Sequence, residues 1–150
     1  MLKRAISGMM LTLLLTSILI LTFNIQPAKA SGTIYIQADG SIDPPTAPIT
    51  TIDMVTFTFT DNIYNSIVVE RDNIIIDGAG YTLQGTGSGA GIGLSRRNNV
   101  TIKNVEIKAF LYSLELSGSS NNTLTGNNIT NSDYGVYLYE SSNNTICGNN

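Results

Sequence analysis

From Asn99 onward the sequence repeats itself every twenty-two residues. Asn99–Ser120 read NVTIKNVEIKAFLYSLELSGSS, Asn121–Ser142 read NNTLTGNNITNSDYGVYLYESS, and Asn143–Asn150 open the same phrase again as NNTICGNN. The rows align without a gap, and SSNNTLTGNN (Ser119–Asn128) matches SSNNTICGNN (Ser141–Asn150) at eight of ten positions. Each column keeps one chemistry. Ile102, Leu124 and Ile146 are apolar, as are Ile107 with Ile129, Leu94 with Leu116 and Leu138, and Ile92 with Leu114 and Val136. Thr101, Thr123 and Thr145 form a threonine column, and Tyr112 falls over Tyr134. An earlier row begins at Asn73-Ile74-Ile75-Ile76, which matches Asn99–Ile102 at a spacing of twenty-six. Its four extra residues fit the glycine-rich stretch Gln84–Gly91, where an insertion is best tolerated.

A fixed period of this length belongs to a chain that stacks one supersecondary unit on the next. Leucine-rich repeats share the period but need a helical return segment, and the Asn-, Gly- and Ser-rich returns here resist helix. Apolar residues alternate instead at Val105 and Ile107, Leu114 and Leu116, and Val136 and Leu138. Alternation over short runs between Asn/Gly/Ser clusters predicts short strands. Three such strands joined by turns use about this many residues and rise one inter-strand spacing, about 4.8 Å. The expected fold is therefore all-β, a parallel β-helix of about 22-residue coils.

Ile76, Ile92, Leu94, Ile102, Ile107, Leu114, Leu116, Leu124, Ile129, Val136, Leu138 and Ile146 are its expected core. Asn and Gly suit the sharp bends because they tolerate left-handed backbone. Asn127 and Asn149 are placed to point inward, where stacked amides can bond to one another. Lys103, Thr125 and Cys147, and Lys108 with Thr130, are expected on the solvent face. A disordered Asn/Ser tail, the alternative that composition allows, would carry no aligned apolar columns.

Residues 31–65 do not follow the period. Thr33–Gln37, Val55–Thr60 and Ile67–Glu70 alternate like strands, and Asp43–Pro48 (DPPTAP) reads as a rigid loop. Residues 31–65 are expected to form an N-terminal β cap that covers the first strand edges, and 66–150 the coils, the last of them incomplete. Residues 1–30 read as a helical signal peptide: a basic start, an apolar run over Ala5–Phe23, and an Ala28-Lys29-Ala30 triplet with cleavage after Ala30. The apolar run is also long enough for an uncleaved membrane anchor. Either way the remainder leaves the cytoplasm.

Beyond residue 30 there are five basic and eleven acidic residues, a net charge of −6, which excludes a phosphate-neutralising nucleic-acid binder. Cys147 is the only cysteine, so no internal disulfide can form. Histidine is absent, which removes the commonest general base and transition-metal ligand.

The segments IVVERDNIIIDGAGYTLQG (Ile67–Gly85), NNVTIKNVEI (Asn98–Ile107), NNTLTGNNIT (Asn121–Thr130) and YGVYL (Tyr134–Leu138) resemble the right-handed parallel β-helix repeat family. The resemblance covers Ser66–Asn150 and is to NosD-type and related carbohydrate-binding and sugar-hydrolase modules. It implies three functions. A polysaccharide lyase or hydrolase needs converging carboxylates, and the candidates are Asp72, Asp77, Glu106, Glu115, Asp133 and Glu140. Asp77-Gly78 reads as a turn, Glu115 meets Tyr137 in the next coil, and Asp133 and Glu140 fall in turns. No pair recurs, so a catalytic site on this reading lies outside these residues.

Copper handling, the second implication, calls for Cys, Met or His. Beyond residue 30 only Met54 and Cys147 remain, so neither a metal site nor a cofactor is expected. The third is a secreted, periplasmic or cell-surface scaffold that meets a polysaccharide or envelope glycan. Tyr112, Tyr134, Tyr137 and Tyr139 would form its platform for sugar rings, although β-propensity alone also places tyrosines on a solvent face. The expected partners are such a glycan and further coils of a longer chain, with a membrane met only through the leader. Asn99, Asn121, Asn128 and Asn143 begin N-glycosylation triplets, which Asn-rich repeats also generate by chance.

Overall fold

A computed structural model describes residues 32–150. The leader expected over 1–30, with Ala28 and Ala30, lies outside the described residues. Among those described, every element is a strand and no helix occurs. Three sheets run along the axis of a right-handed β-helix of about four turns. Sheet A holds β1 (Ile34–Ile36), β5 (Ile67–Val69), β8 (Ala90–Ser95), β11 (Tyr112–Ser117) and β14 (Tyr134–Tyr139), with β2 (Ile42–Asp43) at its edge. Sheet B holds β4 (Thr56–Phe59), β6 (Ile75–Asp77), β9 (Thr101–Lys103), β12 (Thr123–Thr125) and β15 (Thr145–Cys147), with β3 (Ile49–Thr50) at its edge. Sheet C holds β7 (Thr82–Gln84), β10 (Glu106–Lys108) and β13 (Asn128–Thr130).

The strands pair in parallel at the register that the columns require. Leu124 lies between Ile102 and Ile146, Ile107 beside Ile129, and Leu114 and Leu116 beside Val136 and Leu138. Every second side chain then enters the interior, where Ile76, Ile92, Leu94, Ile102, Ile107, Leu114, Leu116 and Leu124 are buried with Phe57, Phe59 and Phe110. Ile129 and Val136 pack against this core. Leu138 and Ile146 occupy their columns but are 42% and 45% exposed, because no strand stacks beyond β14 and β15 among the described residues.

Residues 32–65 both begin the solenoid and cover its edge. β1 pairs in parallel with β5, β4 with β6, and Ile63 bridges Leu83, so this segment supplies a rung to each sheet. β2 and β3 instead pair antiparallel with β1 and β4, which satisfies backbone groups that an open sheet edge would offer to other chains.

The four-residue excess is divided, not gathered in Gln84–Gly91. Ile76 pairs with Ile102 at a separation of twenty-six, whereas Leu83 pairs with Ile107 at twenty-four. Ile92 pairs with Leu114 at twenty-two. Two extra residues thus lie in the Asp77–Tyr81 turn and two between Leu83 and Ile92. Gly78 is what fits the first pair in. A Cβ there would come within 2.5 Å of the Asn104 carbonyl oxygen and 2.6 Å of Val105.

The corners are built from polar ladders. Asn73, Asn99, Asn121 and Asn143 form one column of left-handed residues, with φ of 60°, 56°, 60° and 54°. Inside the next corner, Asn127 Oδ1 accepts from Val105 N at 3.1 Å, and its Nδ2 donates to Ile102 O and to Asn149 Oδ1, both at 3.0 Å. Asn122 and Asn144 form a second such ladder, and Ser119 and Ser141 a third. Each rung satisfies the corner of the coil beneath it, so buried Asn122, Asn127 and Ser119 leave no orphan group.

Candidate functional site

The outer faces of sheets B and C are occupied by their own contacts. On sheet B, Asp77 Oδ1 accepts from Ala79 N at 2.9 Å and Asn104 Nδ2 at 3.1 Å, and Lys103 Nζ lies 3.1 Å from Oδ2. Burial pushes the Asp77 carboxyl up, but those hydrogen bonds and the Lys103 charge outweigh it and hold it below its ordinary value. On sheet C, Thr82 Oγ1 donates to Glu106 Oε2 at 2.7 Å and Lys108 Nζ lies 3.6 Å from Oε1. The Thr82 bond, then the Lys108 charge, holds Glu106 below its usual range.

Sheet A is finished differently. Its central outward column runs Tyr35, Val68, Gly93, Glu115, Tyr137 across five coils. A second column runs Ala90, Tyr112, Tyr134. Tyr112 stacks on Tyr134 with centroids 5.2 Å apart at 30°, and Tyr137 leans against Tyr112 at 4.7 Å. The three rings form one aromatic cluster, with Tyr134 half exposed. Tyr139 lies two residues along β14, outward beside Ser117, without a ring contact to the other three.

Beside the cluster is a shallow groove of about 430 Å³. Ala90, Gly93, Glu115 and the hydroxyl-bearing Thr33, Ser66 and Ser95 are among the residues that line it. The Glu115 carboxylate makes no hydrogen bond or ion pair with any described residue, while its backbone pairs with Gly93 and Tyr137. Gly93 makes the notch. Its φ is not left-handed, and a Cβ there would meet nothing nearer than the Ile67 carbonyl oxygen at 3.9 Å. Neither backbone conformation nor packing requires glycine here, unlike at Gly78. Glycine within a strand, where it weakens the sheet, fits a place of close approach to the backbone.

The other candidate groups do not converge. Asp77 lies on sheet B, Glu106 on sheet C and Glu115 on sheet A, so the three walls of the solenoid separate them. Asp72 pairs with Arg97 at 3.6 Å, while Asp133 and Glu140 lie at corners. Among the described residues no paired carboxylate site is assembled. Nor do the soft donors meet. Met54 lies in the loop between β3 and β4, beside Gly40, in the first coil, whereas Cys147 is exposed on β15 with its Sγ 3.6 Å from Thr125 Oγ1. One thioether and one thiol at opposite ends of the solenoid do not fit a copper ion, which needs several soft or imidazole donors together.

Sequence reading identified the tyrosines but not the groove beside them. Its signal was present in the column Gly93, Glu115, Tyr137 at the repeat spacing, where a missing side chain interrupts large ones. Comparison with known proteins returns no curated protein and no solved structure that matches. Among protein families, the one described as "Periplasmic copper-binding protein (NosD)" matches residues 31–150. With its coil register, its corner ladders and a match over all the described residues, the chain belongs to the NosD family.

Proposed function

We propose that this chain is an extracytoplasmic β-helix scaffold that presents sheet A to glycan chains. The family is a periplasmic one, which supports a location outside the cytoplasm. The family's copper binding is not carried over to this chain, because Met54 and Cys147 stand apart. The observation that carries the proposal is the juxtaposition on sheet A of the Tyr112, Tyr134 and Tyr137 rings with a hydroxyl-lined groove. Aromatic faces suit the C–H faces of sugar rings, while hydroxyls and a carboxylate suit sugar hydroxyls. A linear glycan laid along the solenoid axis would cross the aromatic cluster and the notch in turn.

The test is a glycan array of the full-length chain, followed by titration with the best ligand. Tyr112→Ala and Tyr137→Ala are each expected to weaken binding about tenfold, with the unfolding midpoint little changed. Silence across neutral, amino and acidic glycans would sink the proposal.

A further inference from the structure

We infer that the sheet A groove selects neutral over uronic-acid glycans, through Glu115 and the Gly93 notch; this rests on the glycan-binding role proposed above. Among the described residues, Glu115 is the only charged one lining the groove. It lies outward, in register between Gly93 and Tyr137. The hydroxyls of Thr33, Ser66 and Ser95 line the same depression, so the polar groups a sugar meets there are neutral or anionic.

Neither arginine of that wall lines the groove, and Arg97 is engaged elsewhere. Arg97 donates to the carbonyl oxygens of Ser95 at 3.0 Å and Glu70 at 2.9 Å, and lies 3.6 Å from Asp72. Arg96 lines a neighbouring depression with Ser95, Glu70 and Arg97. Lys103 and Lys108 are held on the other two sheets. A neutral hexose ring can lower its face onto the bare backbone at Gly93 and donate hydroxyls to the Glu115 carboxylate. A uronate in the same place brings a second carboxylate to within about 5 Å of Glu115, which weakens its binding about tenfold. Gly93 sets the depth of approach, since any side chain there would stand in the notch.

The experiment titrates the full-length chain calorimetrically with two probes, a β-1,4-glucose hexamer and a galacturonate hexamer. The neutral hexamer is expected to bind at least about tenfold tighter. Glu115→Gln keeps the shape and removes the charge. It should bring the two hexamers to within about threefold of each other, with the galacturonate hexamer gaining more affinity than the neutral one loses with its carboxylate acceptor. Gly93→Trp should abolish neutral binding with an unaltered circular dichroism spectrum. If that variant misfolds, the outward, unbonded Glu115 position still decides the question. Equal or tighter binding of the galacturonate hexamer by the unmodified chain, or selectivity unchanged in Glu115→Gln, overturns the inference and leaves the glycan face standing. Failure of both hexamers and of every array glycan overturns the face itself.

Discussion

The same coils build all three walls of the solenoid, yet sheet A is left open where sheets B and C are closed. On B and C the outward charges meet partners one coil away or along the strand, as Lys103 does with Asp77 and Lys108 with Glu106. On A, the Glu115 carboxylate meets no partner among the described residues, Gly93 bares the backbone, and aromatic rings gather at one side. Stability is served well enough by ladders of the B and C kind. Around Gly93 and Glu115 sheet A forgoes such pairs.

Two glycines put this contrast on a measurable footing. Gly78→Ala would drive a methyl into the backbone of the neighbouring coil and is expected to destabilise the protein by about 3 kcal/mol. Gly93→Ala, with its nearest contact at 3.9 Å, should change stability by no more than about 0.5 kcal/mol. Paired denaturant midpoints measure the difference, and equal losses at both positions would erase the distinction between a glycine that packing requires at a corner and one that it does not require on sheet A.

The corner ladders come next in size. Asn127→Ala strands the Val105 amide in the interior, removes a second donor from the Ile102 carbonyl, and is expected to cost about 2 kcal/mol. Tyr137→Ala, on the open wall, should cost less in stability than in glycan affinity. A ranking in the reverse order would assign the tyrosines to the scaffold.

The smallest effect concerns Asp77. Its native pKa lies below the unfolded value, so its ionised form stabilises the fold above about pH 4, and that contribution is lost as pH falls through the native value. Asp77→Asn should therefore be about 1 kcal/mol less stable near neutrality, with the gap to the unmodified protein closing toward pH 2.5. Urea midpoints at the two pH values check this, and a gap that widened on acidification would contradict the assignment.

Much of the fold was legible because stacking maps sequence onto space in one dimension. A residue twenty-two places on lies one strand away, so the columns Ile102/Leu124/Ile146 and Ile92/Leu114/Val136 could be read directly. Asn127 could be placed inward by counting from Ile129. The buried Asn122 was less legible, since it sits at a bend where alternation does not apply. The site was half legible. Tyr112 over Tyr134 is a column, whereas Tyr112 against Tyr137 joins positions twenty-five apart and depends on how the rings lean.

The period and the chemistry of its columns determined by themselves that this chain coils, which strand residues face inward, and that asparagines such as Asn127 and Asn149 turn inward. Those properties follow from a rise of one strand per repeat, and they need no knowledge of anything distant. Only the tertiary structure decided how the extra residues divide between two turns, how residues 32–65 both begin and cover the sheets, and that sheet A holds a notch beside its tyrosines. These depend on backbone approach and side-chain direction across neighbouring coils, which spacing along the chain does not encode.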